Sequence, residues 1–348
     1  MKTIVIFDPI TPSDKMFDPN DRDGYKDPYI YLKERLADMG YKLKPYENEE
    51  LHQCKWLFFN DAISTRYFRG FKGALRKFKA RLHGKQLRDV FKDCLKENLQ
   101  NKMVLFLWEP PTVMSRNWED NLYEKFNIIF TWNDRLVDGK KFHKIHWPQT
   151  HKFPVVEKVP FNKKKLLVNI TANKYSSHPR ELYTARRKTI RYFEKKYPND
   201  FDLYGVGWNQ PVGKFQKLPH FYRAYYPSYR GVVRNKWDVY PKYKFGLCYE
   251  NICNEPGYIT EKIFDCMQAD CVPVYWGASN TTDYVDENAF IDRRHFKSDE
   301  ELSDFLNNVA ESEYKYYQEA IKAYLNSDRF KLFLPNAYTE TIINVLKL

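Results

Sequence analysis

A chain of 348 residues has room for two domains of ordinary size. Its 43% hydrophobic and 29% charged residues exclude a disordered or low-complexity protein, and 25 Phe, 27 Tyr and 8 Trp supply dense cores. The balance of 57 Lys and Arg against 45 Asp and Glu, a net charge of +12, favours an anionic partner: a nucleotide, a phosphorylated sugar, nucleic acid or a membrane surface.

No run approaches 18 consecutive apolar residues, and the opening MKTIVIFDPI is too short and too soon interrupted for a signal segment, so neither a membrane anchor nor secretion is expected. The six cysteines include no CxxC pair and read as reduced core thiols of a cytoplasmic protein.

Along the first half the pattern predicts strands over 3–7, 56–59, 103–108 and 128–132, with helices near 28–39 and 118–126. A proline-marked stretch over 148–160 precedes a second series. There the prediction is strands over 166–170, 201–204, 245–249 and 272–276, helices over 180–196 and 259–268, and a short amphipathic helix over 334–348. Alternation of this kind argues an α/β protein of two parallel-sheet units joined near residue 155, with a ligand cleft between them at the carboxyl ends of the strands.

One segment stands apart. Over 66–88 there are nine Lys or Arg and no acid, interleaved with Tyr67, Phe68, Phe71, Leu75, Phe78 and Leu82. Arg66, Arg69, Lys72, Arg76 and Lys77 read either as a surface for an anionic membrane or phosphorylated acceptor, or as the solvated face of an ordinary helix. No nucleic-acid-binding motif accompanies them, so no nucleic acid is expected as partner.

The stretch over 243–279, YKFGLCYENICNEPGYITEKIFDCMQADCVPVYWGAS, carries the most chemistry. A buried strand ends in Glu250 and Asn251, a turn passes Pro256 and Gly257, and a helix opens at Thr260, Glu261 and Lys262. Backbone N–H groups and the dipole at a helix start favour a diphosphate there, with Lys262 as counter-charge. Thr260 is expected as N-cap, and Glu261 as an acceptor for sugar hydroxyls.

This stretch resembles the α1,3/4-fucosyltransferase family, whose pattern is a strand ending F-E-N, a short spacer, Y-[VI]-T-E-K and a V-P-[VI]-Y-x-G strand. Here these are Tyr249-Glu250-Asn251, Tyr258-Ile259-Thr260-Glu261-Lys262 and 272–277. The segment 106–111, FLWEPP, is similar to the family's E-[ST]-P, with Pro110 in place of the hydroxyl residue. Glu109 is a strand-end carboxylate suited to general-base work. His143 and His146 are its nearest rivals.

A third element, 176–208, resembles the family's S-x(n)-R-x-x-x-[IL] and D-x-[YF]-G segments. Arg186 shares a helix face with Ile190 and Phe193, and the resemblance gives it a diphosphate contact, with Arg187 as the alternative register.

The resemblance implies two Rossmann-like domains facing a central cleft, the GT-B architecture. Residues 1–155 would bind acceptor, 156–333 the GDP-sugar, and 334–348 would form a helix able to pack back on the first domain. It implies inverting transfer of fucose from GDP-β-L-fucose to a sugar hydroxyl, usually O3 of N-acetylglucosamine on an oligosaccharide or glycolipid. Glu109 would be the base, and Arg186 with Lys262 would take charge on the leaving GDP. Tyr258 would pack on or bond the nucleotide or sugar, and Asn251 would bond a fucose hydroxyl or phosphate. With those cations no bound cofactor or obligatory metal is expected, and Asp200-Phe-Asp202 lies at the wrong end of its strand for a metal site. Two alternatives remain at this level: a transferase for another nucleotide deoxysugar, and a basic, aromatic-rich membrane- or nucleic-acid-binding protein. The expected location is the cytoplasm, the basic segment offering a peripheral contact with the inner membrane face.

Overall fold

The computed structural model describes residues 2–8, 11, 13–20, 24–46, 49–61, 74, 75, 78, 82, 89–150, 155–211 and 225–348. The chain divides into two compact units: residues 1–146 with 335–348, and residues 147–334.

In the first unit, strands β1 (Lys2–Phe7), β2 (Tyr41–Pro45), β3 (Trp56–Asn60), β4 (Met103–Leu107), β5 (Ile128–Thr131) and β6 (Phe142–Lys144) form one sheet in the order β2-β1-β3-β4-β5-β6. Every pair is parallel. Such a sheet is covered on both faces, so its central strands are apolar throughout rather than alternating, and MVLFL of β4 is buried at every position. Helix α1 (Asp27–Asp38) begins with Pro28 in its first turn, where a missing N–H leaves no bond unmade, and buries Tyr29, Leu32 and Leu36 on one stripe. Helix α2 (Val90–Lys96) is capped by Asp89, whose carboxylate accepts the Lys92 N–H. The helix expected over 118–126 is shorter: a 3₁₀ turn at Ser115–Trp118 and then α3 (Asp120–Tyr123). Asn117 and Trp118 are drawn to the β4 loop instead.

The second unit has a five-stranded parallel sheet of β7 (Lys165–Ile170), β8 (Phe201–Tyr204), β9 (Tyr243–Tyr249), β10 (Val272–Trp276) and β11 (Ile291–Asp292), ordered β11-β10-β9-β7-β8. The order reverses between β7 and β9, which makes the carboxyl ends of those strands the switch point of the sheet. Helix α4 (Tyr183–Lys196) packs there and buries Arg186, Ile190 and Phe193. It starts three residues after the expected position because Glu181 is taken into a bridge with Ile252. Helix α5 (Glu261–Gln268) starts two residues late, the chain turning first through an Ile259 N–H bond to the Gly257 carbonyl. Helices α6 (Asp299–Asn308) and α7 (Glu311–Leu325) complete the unit. The short strands β2, β6 and β11 went unread in the sequence, since sheet edges keep a mixed, half-buried pattern.

The last helix, α8 (Pro335–Leu346), belongs to the first unit and lies on α1. Arg35 bonds Glu340 at 3.2 Å, and the Tyr338 ring stands edge-on to Tyr29 at 6.2 Å. No helix among the described residues is long and apolar enough to cross a membrane.

Candidate active site

Glu250 follows β9 and is completely buried. An unpaired carboxylate there would cost several kcal/mol, and local partners satisfy this one. Its Oε1 accepts the Thr260 N–H at 2.8 Å, the Thr260 hydroxyl lies 2.9 and 2.8 Å from the two carboxylate oxygens, and Lys262 Nζ donates to Oε2 at 2.9 Å. Thr260 therefore occupies the N-cap position of α5 without capping it: its side chain turns to Glu250. Gly277 makes the arrangement possible, because a Cβ at that position would sit 2.5 Å from Glu250 Cγ and 2.3 Å from Tyr275 Oη.

Arg186 reaches the same point from α4. Its guanidinium donates to the Tyr249 carbonyl and, at 3.0 Å, to the Glu250 carbonyl. Its buried Nε has no hydrogen-bond partner among the described residues. Burial depresses the basicity of Arg186, and the Tyr183 and Glu250 groups work against that. Lys262 moves the other way: burial acts to lower it, but Glu250 and Glu261 hold its ammonium charged well above the ordinary range. Burial would raise the Glu261 carboxyl, yet Lys262 and Lys236 bring it down to about 2. Fixed charges therefore gather where β9 meets α5.

Of the remaining motif residues Asn251 is half-buried, and Tyr258, Ile259 and Tyr249 are buried. Asn251 Nδ2 donates to the Tyr258 hydroxyl at 3.4 Å, and the Tyr258 ring stands edge-on to Trp147 at 6.3 Å. Ile259 is core. Tyr249 is also core, its hydroxyl 3.3 Å from Thr189, which donates to Asp299 at 2.8 Å, itself paired with Arg293 at 3.0 Å. Arg187 is on the outer side of α4, bonded to the Lys174 carbonyl at 2.7 Å and Thr184 Oγ1 at 3.0 Å, so only Arg186 joins the Glu250 cluster. Asp202 is engaged at the far end of the sheet by Lys165, Arg230 and Tyr243 at 2.7, 2.6 and 2.6 Å.

In the first unit Glu109 lies just beyond β4, half-buried. Both backbone N–H groups and both carbonyls of Trp108 and Glu109 are held by side chains. Their N–H groups donate to Asp61 Oδ1 at 2.8 and 3.0 Å. The Trp108 carbonyl accepts from Trp132 Nε1 at 2.7 Å, and the Glu109 carbonyl from Trp118 Nε1 at 3.1 Å and Asn117 Nδ2 at 3.3 Å. These bonds hold the loop without a hydroxyl at position 110. Asp61 escaped the sequence reading, although the signal that selected Glu109, a carboxylate closing an apolar strand, is present there too. His143 lies on the edge strand β6 with Nε2 3.1 Å from the Lys140 carbonyl, and burial with the Lys144 charge pushes His146 down to about 3. Arg66, Arg69, Lys72, Arg76 and Lys77 lie outside the described residues.

Residues 161–324 match the model of glycosyltransferase family 10 (fucosyltransferase), C-terminal part. An α-(1,3)-fucosyltransferase of Helicobacter pylori is 27% identical over 182 residues, 46% of this chain and 36% of that protein. An α-(1,4)-fucosyltransferase of Arabidopsis thaliana is 38% identical over 74 residues, 21% of this chain and 18% of its own length. The chain thus spans about a third or less of the curated relatives it matches. Among solved structures, an α1,3-fucosyltransferase with GDP superposes over 100% of this chain and 90% of its own, with a TM-score of 0.56 at 14% identity. A DNA-modifying β-glucosyltransferase covers 99% of this chain and 100% of its own, with a TM-score of 0.52 at 11% identity. Those likenesses show the two-Rossmann GT-B fold. Through residues 161–324 the chain is similar to glycosyltransferase family 10, the fucosyltransferases.

Proposed function

We propose that the protein transfers L-fucose from GDP-β-L-fucose to a hydroxyl of a glycan acceptor, O3 of N-acetylglucosamine being the preferred target, with inversion at C1. The observation that carries the reading is the convergence of Arg186 and Lys262 on Glu250 within the family-matched residues. Two preorganised cations suit the negative charge that develops on a departing GDP, and no water need reorganise around them.

In this reading the acceptor oxygen attacks C1 of fucose as the bond from C1 to the phosphate oxygen breaks. The bonding pair leaves with GDP, and the acceptor proton passes to Glu109. Arg186 and Lys262 hold the diphosphate, Glu261 accepts from fucose hydroxyls, Asn251 and Tyr258 line the donor, and Glu250 orients Lys262. Arg187, Tyr249 and Ile259 act from behind by shaping α4 and β9. The cations supply the leaving-group charge compensation, so the reading includes no obligatory metal. The test is GDP release from GDP-fucose with a panel containing Galβ1-4GlcNAc and lipid-linked oligosaccharides, the product linkage assigned by NMR. Release that is insensitive to every acceptor, or that prefers another nucleotide sugar, overturns the reading.

A further inference from the structure

We propose that Asp61 is the positioning residue of the Glu109 base: one buried carboxylate oxygen fixes the backbone on which Glu109 is carried. The inference rests on the reading of Glu109 as base. Asp61 is 4% exposed and takes a positive φ of 61°, a conformation that costs a non-glycine residue energy and persists where surrounding bonds enforce it. The enforcing bonds are present. The Asp61 N–H donates to the Phe106 carbonyl at 2.8 Å, which extends the β3–β4 ladder by one residue. Its Oδ1 then gathers Trp108 N–H, Glu109 N–H and, at 2.6 Å, Asn117 Nδ2.

Because Asn117 also donates to the Glu109 carbonyl, Asp61 and Asn117 grip that residue from both of its peptide groups. A side chain whose own backbone is held this way is confined to the reach of its rotamers, and proximity effects in catalysis are lost when a base shifts by about 1 Å.

A carboxylate is an unusual choice for the role, since an amide oxygen would accept the same three bonds. What a carboxylate adds is charge beside Glu109. Burial and the Glu109 charge push the Asp61 carboxyl up to about 7, while the bonds from Glu109, Trp108 and Asn117 resist. Other titratable groups near it are Asp8, which accepts from Asn60 at 3.2 Å, Tyr29, whose hydroxyl burial and its neighbours keep protonated, and the buried Lys26, whose ammonium lies 5.4 Å from the Tyr29 ring. In its ionised form Asp61 raises the proton affinity of Glu109 and so strengthens it as a base.

Three variants assayed for GDP release with GDP-fucose and Galβ1-4GlcNAc test this. Asp61→Ala should lower kcat by about 10²-fold with donor KM within about threefold of wild type. Asp61→Asn, which keeps the acceptor oxygen, should recover most of that loss while the inflection of the kcat/KM profile near pH 7, where Asp61 ionises beside Glu109, disappears. Asp61→Ala added to Glu109→Gln should cost less than about threefold further, since both act through one group. Additive losses in the double variant, wild-type turnover in Asp61→Ala beside an inactive Glu109→Gln, or an inflection near pH 7 retained in Asp61→Asn would each overturn the inference. If Asp61→Ala fails to fold, the Asp61→Asn profile decides. An active Glu109→Gln instead removes the base reading itself, and this inference falls with it.

Discussion

Among the described residues, the Asp61 carboxylate beyond β3 is held by neutral donors, two backbone N–H groups and an amide, whereas the Glu250 carboxylate beyond β9 is held by a hydroxyl, an N–H and an ammonium. The consequence is a difference in how firmly charge is fixed. Burial and the Glu109 charge push the Asp61 carboxyl up to about 7, where a proton is easily exchanged. Beside Lys262, Glu261 is driven to about 2 and the ammonium itself is held charged, so neither changes state across the physiological range. A corner with labile protons suits acid–base work. One with fixed charges suits the holding of a phosphate.

The sharpest break of this comparison is Glu109→Gln, which conserves size but accepts no proton. Turnover should fall by about 10²- to 10⁴-fold with donor affinity preserved, while His143→Ala and His146→Ala stay near wild type. Steady-state kinetics and calorimetry with GDP-fucose read both quantities, and an active Glu109→Gln beside a dead histidine variant would reverse the assignment.

Next in size is Lys262→Ala. It should weaken GDP binding by about 1.5 kcal/mol or more, the low end for charge-assisted contacts. It should also destabilise the second unit by about 3–5 kcal/mol by leaving the buried Glu250 without its counter-charge. Calorimetric titration and denaturant unfolding separate the two effects, and Arg186→Ala should share the first. If both variants bind GDP as wild type does, the fixed charges serve the fold alone.

Acidity provides a third test. A carboxyl raised to about 7 is protonated more readily in the folded than in the unfolded chain, so stability from Asp61 is highest at acid pH and declines as pH rises from about 4 to 7. Compared with Asp61→Asn, the wild type should lose about 3 kcal/mol across that window. Glu261, lowered to about 2, has the opposite sign: its contribution is present above its unfolded value near 4.3 and is lost as pH falls toward 2. Parallel wild-type and Asp61→Asn curves would remove the labile corner. The smallest effect is expected from Arg187→Ala, whose guanidinium bonds only local oxygens: GDP affinity should change by less than about twofold.

What the sequence revealed and what it hid follow one physical line. Glu109, Glu261 and Lys262 were legible because a carboxylate after an apolar strand and charges at a helix start are local patterns, and Arg186 because helical periodicity put it on the face of Ile190 and Phe193. Long-range partners were not legible. That Thr260 turns to Glu250 rather than capping α5 depends on a carboxylate ten residues away being driven inside, where it demands donors more strongly than a helix end open to water does. The bonding of the Glu109 loop depends on Asn117, Trp118 and Trp132 arriving from beyond the strand. Asp61 shows the remaining gap: the pattern was local, but Asn60-Asp61 also reads as a turn, and only the sheet register reveals that β3 continues into it.

Helix α8 carries a consequence for biosynthesis. The first unit is completed by residues translated after the whole of the second, so during synthesis it waits without the cover that α8 gives. The ring of Tyr338 packs 6.2 Å from those of both Tyr29 and Trp108, and Trp108 adjoins Glu109 on the same cradled loop. The corner that bears the labile proton is therefore among the last parts of the chain to be finished, and a ribosome-bound or prematurely terminated chain can own a complete second sheet while this loop still lacks its backing.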